Sequence, residues 1–364
     1  MNATTVRPGR ELAATVAIDL AKEVFELAFA DGNGRIIERK RLGRGPFQRC
    51  LINRPPLRVV MEACGSAHYW ARRLARLGHS VVLLPAHHVR PYVRGNKSDR
   101  TDAAGLLEAA RCQDIHPVPA KSPEQQGIQA LHRIREHYKA QRTAGINLVR
   151  GLLREFGVVM PAGAGNLRPA TLAALEDGDN ELPMELRHAL AGLLEKIATC
   201  EAAMDDLEKR FTAMARNDPR CQRLMAACGV GPLTATALCA GVGDLSRFPS
   251  GPHLASHLGL TPCEHSSGHI RRRGRITKRG DVYLRTLLIH GARAAINAAQ
   301  AARKRDRCLD RTQQWALELA DRIGHNKAAV ALASKTLRRL WAAERHGARF
   351  DPNHRSLRPS VQAA

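Results

Sequence analysis

The stretch Ala14-Thr-Val-Ala-Ile-Asp-Leu20 decides how the first part of the chain folds, because it sets one acid inside an otherwise apolar run. A short run rich in Val and Ile predicts a buried β-strand. A carboxylate within such a strand costs free energy unless a cation pairs with it. Asp19 is therefore the first candidate for chemistry.

Two further strands follow at once. Val24 to Ala30 is a second apolar run, and the turn Asp31-Gly-Asn-Gly34 leads into a third strand through Ile36 and Ile37. Such a turn between apolar runs is typical of a β-hairpin. The sequence thus predicts a sheet that begins with antiparallel strands.

The next elements predict parallel strands. Arg58 to Glu62 is a short apolar run that ends in an acid, Ala67 to Leu77 has helical spacing, and Ser80 to Pro85 returns to a strand. A strand, helix, strand order implies a parallel pair with a covered face. The first part of the chain is therefore predicted to be an α/β domain with a mixed sheet.

The remaining chain is predicted to be all-α. Long helical segments run from Gln125 to Glu155 and from Leu186 to Arg216, and the Gly- and Pro-containing segment 157–179 reads as the tip between two antiparallel helices. The predicted division is 1–121, an α/β domain; 122–216, a helical coiled-coil linker; 217–346, a helical domain; and 347–364, a disordered tail.

The charge of the chain points to a polyanionic partner. There are 57 Lys and Arg against 34 Asp and Glu, which gives a net charge of +23. An excess of this size indicates nucleic acid, with an ordinary charged surface as the alternative reading.

The nine cysteines include no Cys-x-x-Cys pair and are odd in number. Neither a disulfide framework nor a zinc ribbon fits, so they are interpreted as small buried hydrophobic residues in a reducing compartment. No signal peptide is evident, and no apolar run reaches the roughly 18 residues of a membrane span. A cytoplasmic protein without a membrane partner is expected.

Four acids of the first domain lie within a predicted strand or at the end of a predicted strand or helix. Asp19 lies within the first strand, Glu62 ends a later strand, and Asp99 and Asp102 lie at the start of a helix that runs to Ala110. Oxygen ligands of this kind suit Mg²⁺ or Mn²⁺, and acids three residues apart share one helix face. Two such ions can clamp a phosphodiester.

A structural alternative exists for each acid. Asp99 could cap the helix with Asp102 at its third position, and Asp19 and Glu62 could be strand-end acids facing solvent. The combination favours metal binding, since a ribonuclease-H-like sheet places its metal acids on the first strand, on the fourth and on a later helix. Lys97 is a candidate phosphate ligand or an ordinary solvated lysine.

A second candidate site lies in the segment 259–280. Six of the nine residues from 271 to 279 are basic, which predicts a flexible loop that grips phosphate. Ser266 and Ser267 stand just upstream, before Gly268, where a hydroxyl could act as a nucleophile on phosphorus. A plain turn is the alternative, and His265 and His269 are either proton carriers or loop residues. The predicted nucleic-acid ligands are Arg271, Arg272, Arg273, Arg275, Lys278, Arg279 and Lys97.

These motifs together resemble the DEDD-type insertion-sequence transposases related to the Piv DNA invertase. The residues that carry the resemblance are Ile18-Asp-Leu-Ala-Lys22, Met61-Glu-Ala-Cys-Gly65, Lys97-Ser-Asp-Arg-Thr-Asp-Ala103, and Ser266-Ser-Gly268 with Arg273-Gly-Arg-Ile-Thr-Lys-Arg-Gly280. The likeness extends from about residue 14 to 345. Asp281 stands where this family often has asparagine.

The resemblance implies a fold and a mechanism. The implied fold is a RuvC-like, RNase H-like domain of the Holliday-junction-resolvase type, joined through a coiled coil to a C-terminal transposase domain. Asp19, Glu62, Asp99 and Asp102 match the metal-binding tetrad. Ser267 matches a nucleophile that forms a covalent 5′-phosphoserine link to DNA, with Ser266 as the rival.

The resemblance also implies partners. Such recombinases act on donor and target DNA and are guided by a structured noncoding RNA, called a bridge RNA. A cytoplasmic location in association with the nucleoid is implied. A homo-oligomer, a dimer or a tetramer on DNA, is expected, with 122–156 and 186–216 as the candidate interface; an intramolecular hairpin is the alternative.

Two rival functions remain at this stage. One is a metal-dependent junction endonuclease that hydrolyses DNA with water and forms no covalent serine intermediate. The other is a non-enzymatic RNA-binding or DNA-architectural protein in which the acids are helix caps and strand ends.

Overall fold

The computed structural model describes residues 13–93 and 99–354. The chain divides into two compact units after Pro123. The further division of the second unit at residue 217 stays a prediction.

A mixed sheet forms the centre of the first unit. Its order is β3-β2-β1-β4-β5. The pairs β1–β2 and β2–β3 are antiparallel, whereas β1–β4 and β4–β5 are parallel. The predicted α/β domain with a hairpin-led mixed sheet is confirmed. The strands are β1 (Thr15–Leu20), β2 (Val24–Ala30), β3 (Ile36–Gly43), β4 (Arg58–Glu62) and β5 (Ser80–Leu84).

Helices cover both faces of this sheet. One face carries an aromatic cluster in which the Phe25 and Phe47 rings stack at 4.4 Å and Trp70 meets Phe47 edge-on at 4.8 Å. The other face packs Ala17 and other small residues against the last helix of the unit. The helices are α1 (Arg44–Cys50), α2 (Ala67–Arg76), α3 (Ala86–Val89) and α4 (Asp99–Ala109), with a 3-10 turn at Arg90–Tyr92.

The second unit begins with a long helical hairpin of α5 (Pro123–Glu155) and α7 (Met184–Asn217). The Arg142 Nε donates to Glu201 Oε1 at 2.6 Å, and the Arg135 Nε donates to Glu208 Oε1 at 3.0 Å. From Arg135 to Arg142 along α5 the residue number rises by seven, whereas the number of the paired glutamate on α7 falls by seven. The two helices therefore run antiparallel, as predicted.

The segment 157–179 lies at the tip of this hairpin, as predicted. It also contains a 3-10 turn (Ala164–Asn166) and a helix, α6 (Leu167–Glu176), which the sequence did not predict. Leu167 and Ala174 of α6 are buried in the same apolar cluster as the helices on either side. Pro169 is tolerated because it lies in the first turn.

The hairpin is fastened to the helices that follow it. His132 on α5 is buried, with Nδ1 2.9 Å from the Tyr283 hydroxyl and Nε2 3.1 Å from the Thr236 hydroxyl. Burial lowers the pKa of His132 to about 4, so the ring is neutral near neutral pH. These bonds join residues that are more than 100 positions apart within one unit.

The rest of the second unit is a helical bundle with one small hairpin. Its core is aliphatic and contains Leu238, Leu254, Ile296 and Leu337. The elements are α8 (Pro219–Met225), α9 (Pro232–Gly241), the 3-10 turn Leu245–Arg247, α10 (Gly251–His257), β6 (Pro262–Glu264), β7 (Arg273–Ile276), α11 (Val282–Lys304), α12 (Arg311–Ile323) and α13 (His325–Arg345).

The described residues after 347 contact α12, and the predicted disorder of the tail stays a prediction. Thr312 Oγ1 donates to the Pro352 carbonyl at 2.7 Å, and Arg311 N donates to Asn353 Oδ1 at 2.9 Å. These bonds hold residues 352–353 against the first turn of α12. Residues 355–364 lie outside the described part of the chain.

No helix among the described residues is both long enough and apolar enough to cross a membrane.

Candidate active site

Two of the four acids end neighbouring strands. Ile18 of β1 pairs with Met61 of β4 in a parallel register, so Asp19 and Glu62 are the next residues of the two strands. Both are half-buried. Adjacent parallel strands finish at the same edge of a sheet, and the two carboxylates therefore lie side by side there.

Both carboxylates lie on the face that α4 covers. Side chains alternate along a strand. Ile18 and Met61 belong to the aromatic side of the sheet, so Asp19 and Glu62 belong to the other. Burial raises the pKa of the Cys64 thiol, and the charges of Glu62 and Asp19 raise it further. Both carboxylates are thus close enough to act on one neighbouring thiol.

The helix α4 packs on the same face of the sheet and carries two acids in its first turn. The Arg58 Nη2 at the start of β4 donates to the Ala110 carbonyl at 3.1 Å, so the end of the helix lies at the beginning of that strand. The helix packs on the sheet with Ala103 and Leu106 buried in the same cluster as Ala17 and Val60.

Asp99 and Asp102 both lie in this first turn. Asp99 is exposed and Asp102 half-buried, and both share a helix face with Leu106, which is buried against the sheet. Lys97 lies outside the described residues, and the capping alternative for Asp99 stays a prediction.

The structure adds a fifth acid that the sequence reading missed. In the antiparallel register of β1 and β2, Glu26 stands directly opposite Asp19, and Arg41 of β3 stands opposite Glu26. Opposite side chains lie about 4.5–5.5 Å apart at Cβ. Counting back from the short β1–β2 connection would have found Glu26, because that connection fixes the register.

The acid row fits a hard divalent cation. Glu26, Asp19 and Glu62 stand in consecutive positions on three adjacent strands, where carboxylates are close enough to share one cation. The donors are all carboxylate oxygens, the ligands that Mg²⁺ and Mn²⁺ prefer.

The second candidate site is a β-hairpin in the other unit. Ser267 and Ile270 exchange backbone hydrogen bonds of 3.1 Å in both directions, so Gly268 and His269 form a two-residue turn. Gly268 has φ of 54°, which a tight turn of this kind requires. Ser267 is therefore exposed at the tip of the hairpin.

The two adjacent serines have different surroundings. The Ser266 hydroxyl donates to Glu264 Oε1 at 2.7 Å and accepts from Arg272 N at 3.3 Å. The bond from Ser266 is the main cause that lowers the pKa of Glu264, and nearby arginine charges add to it. Within the described residues the Ser267 hydroxyl has no hydrogen-bond partner. The Ser266 hydroxyl thus stabilises the hairpin, whereas the Ser267 hydroxyl is available to react.

The basic segment is more regular than predicted. Residues 273–276 were expected in a flexible loop, but they form β7 and pair with β6. Cross-strand hydrogen bonds supply the order that the local sequence lacks. The chain is close-packed where the basic segment ends, since a Cβ at Gly280 would lie 1.9 Å from the His257 carbonyl oxygen. All six predicted basic ligands of this segment are exposed: Arg271, Arg272, Arg273, Arg275, Lys278 and Arg279.

The acids belong to the first unit and the serine hairpin to the second. An acid-lined mixed sheet in a chain with net charge +23 is the arrangement of an enzyme that acts on nucleic acid.

Comparison with known proteins narrows this class. A sequence model of the transposase IS116/IS110/IS902 family matches residues 221–307, and a transposase model of the DEDD IS110 type matches residues 16–158. The chain belongs to the IS116/IS110/IS902 family of transposases, enzymes that cut and join DNA.

Curated proteins named as transposases are similar to this chain over most of its length. The chain is 43% identical over 331 residues to a Pseudomonas aeruginosa protein named "Probable family 20 transposase", a match of 90% of this chain and 95% of that one. It is 38% identical over 327 residues to the Coxiella burnetii "Transposase for insertion sequence element IS1111A", covering 90% and 88% of the two chains. The Yersinia enterocolitica "Transposase for insertion sequence element IS1328" is 31% identical over 335 residues, which cover 92% of this chain and 98% of that one. These names do not favour the hydrolytic junction endonuclease.

Proposed function

We propose that this transposase cuts and rejoins DNA of an insertion sequence with a divalent metal held by Asp19, Glu62, Asp99 and Asp102 and with the Ser267 hydroxyl as nucleophile. The observation that supports the proposal is that Asp19 and Glu62 end neighbouring parallel strands on the face covered by α4, the helix whose first turn carries Asp99 and Asp102. This is the arrangement expected of a RuvC-like, RNase H-like catalytic domain.

Each group then has a defined task. The bound Mg²⁺ or Mn²⁺ supplies Lewis-acid activation of the scissile phosphate. The Ser267 oxygen forms a bond to phosphorus as the bond from phosphorus to the 3′ oxygen breaks; the hydroxyl proton is lost and the departing oxygen gains one. The phosphoserine linkage conserves the phosphoester bond for rejoining. The exposed arginines of the hairpin neutralise backbone phosphates.

The proposed active site draws on both units and on more than one copy of the chain. Strand exchange needs several cleavage centres at once, which a homo-oligomer provides. The α5–α7 hairpin is paired within one chain, yet Ile134 and Leu148 on α5 remain 44% and 52% exposed. Outward apolar residues of this kind support a contact between hairpins of two protomers.

A structured noncoding RNA is the proposed guide. The excess of positive charge suits binding of RNA and DNA together through their backbones, while base pairing selects the sequence. The protein itself then recognises the shape and the charge of the nucleic acids, whereas the RNA recognises their sequence.

RNA guidance can be tested with purified protein, supercoiled plasmid, Mg²⁺ and RNA transcribed from the DNA that flanks the gene. We expect joined products with the flanking transcript and none with a scrambled RNA of equal length, measured by amplification across the new junctions. Equal joining with both RNAs, or without RNA, would contradict guidance.

Glu26 is expected to strengthen metal binding because it stands opposite Asp19. Glu26→Gln should weaken Mn²⁺ affinity about tenfold, measured by calorimetry without DNA. Glu108→Gln is the matched control, since that exposed acid lies near the far end of α4. Unchanged affinity in Glu26→Gln with loss in Asp19→Asn would remove Glu26 alone from the site; unchanged affinity in both would remove the metal site itself.

A further inference from the structure

A second group of metal-ligand side chains lies in the helical unit, well apart in sequence from the acids. It consists of Asp218 just before α8, Cys221 in α8 and Cys239 in α9, with ligand atoms all within 4.8 Å of one another. The two Sγ atoms are 3.5 Å apart, and Cys221 Sγ is 3.7 Å from Asp218 Oδ2. Both cysteines are buried.

These separations suit a tetrahedral zinc ion. Zn–S bonds of about 2.3 Å and a Zn–O bond of about 2.0 Å at tetrahedral angles place two sulfurs roughly 3.8 Å apart and a sulfur and an oxygen roughly 3.5 Å apart. The observed distances of 3.5 Å and 3.7 Å are close to these values. A disulfide would require the sulfurs to approach to about 2.05 Å.

The carboxylate is already oriented. Asp218 Oδ1 accepts a hydrogen bond of 2.7 Å from Arg220 N, which caps α8, and its other oxygen is the one near the sulfur. A ligand fixed by a second hydrogen bond is characteristic of built metal sites. The Arg220 side chain is itself held in place, because its Nη2 donates to the Gly243 carbonyl at 2.7 Å.

We propose that Asp218, Cys221 and Cys239 bind a zinc ion, with a water as the fourth ligand. Thiolate ligands select zinc over Mg²⁺, so this site and the carboxylate site take different metals. Two thiolates and a carboxylate leave one net negative charge around Zn²⁺, and the neighbouring cation Arg220 lies between this site and Glu344, whose Oε1 is 3.8 Å from the Arg220 Nε. The interpretation of these two cysteines as merely small hydrophobic residues is then replaced.

The zinc ion has a structural task. It ties the start of α8 to α9 across the turn 226–231, where Gly229 has φ of 87°. A Cβ at Gly291 of α11 would lie 1.9 Å from the Gly229 carbonyl oxygen, so this turn packs closely on the bundle. Fixing both helices holds the turn in one position.

The test uses the untagged full chain, purified under reducing conditions and dialysed against zinc and then buffer. We expect about one tightly held zinc per chain by elemental mass spectrometry, and thiolate-to-metal charge-transfer absorption after Co²⁺ replacement. Cys221→Ser and Cys239→Ser should each lose both signals, and Asp218→Asn should bind at least about tenfold more weakly. Cys200→Ser, another buried cysteine, is the control that keeps them.

A measurement on the wild type covers variants that do not fold. Chelation should lower the Tm, and added zinc should restore it. The proposal is overturned if the wild type holds no zinc while both thiols titrate as free or as a disulfide, or if zinc stays bound in Cys221→Ser at full affinity, which would place it at the acids instead.

Discussion

Replacing Ser267 with alanine is expected to abolish the covalent protein–DNA adduct and to lower strand joining by roughly 10³-fold or more. The reason is that the variant lacks the oxygen that would bond to phosphorus, while the basic hairpin that holds DNA keeps its charge. The adduct is measured by denaturing gel after incubation with end-labelled DNA and Mg²⁺. RNA binding, measured by filter retention, should remain near the wild-type value.

Ser266→Ala is the matched control. Its hydroxyl is bound to Glu264 and Arg272, so its loss should loosen the hairpin and leave adduct formation within about tenfold of wild type. The reverse pattern, with the adduct lost in Ser266→Ala and kept in Ser267→Ala, would assign the nucleophile to Ser266. An adduct in both variants would exclude the doublet.

Replacing Asp19 with asparagine is expected to lower Mg²⁺-dependent strand cutting by roughly 10³-fold. Asp19 is the central acid of the row, with Glu26 opposite on one side and Glu62 adjacent on the other. The amide keeps the shape of the side chain but removes its charge. Cutting is measured as nicking of supercoiled plasmid over a series of Mg²⁺ concentrations.

Glu108→Gln serves as control for this variant too, because it removes one negative charge from the same unit near the far end of α4. It should cut at the wild-type rate. Full activity of Asp19→Asn in Mg²⁺ would refute the role given to the acid row.

Much of the sheet could be predicted because its signals are local. The apolar runs of β2 and β4 are bounded by turn residues and acids, and the observed strands begin and end where those runs do. The edge position of Asp19 and Glu62 followed from those bounds. Helix α1 was missed because Gly45-Pro46 reads as a turn, although Phe47 within it completes the aromatic cluster.

What escaped prediction depends on contacts between distant residues. The arms β6 and β7 are only three and four residues long and are ordered by pairing across the turn. The Cys221–Cys239 contact joins residues 18 positions apart on separate helices. Neither is visible as a period along the chain.

The departure at Asp281 has a local explanation. Its side chain accepts a hydrogen bond of 3.0 Å from Leu284 N and caps α11, directly after the basic segment. Asparagine caps helices about as well as aspartate, so either residue performs this task.

The most direct test of the account is mass spectrometry of the peptide 248–271 after reaction with DNA, nuclease digestion and trypsin cleavage. If acids of the first unit and the hydroxyl of the second act on one phosphodiester, wild-type protein in Mg²⁺ will carry a nucleotide phosphate on Ser267, and Asp19→Asn will carry none. A nucleotide on Ser267 at full yield in Asp19→Asn, or joined DNA from a wild-type protein that never carries one, would contradict it.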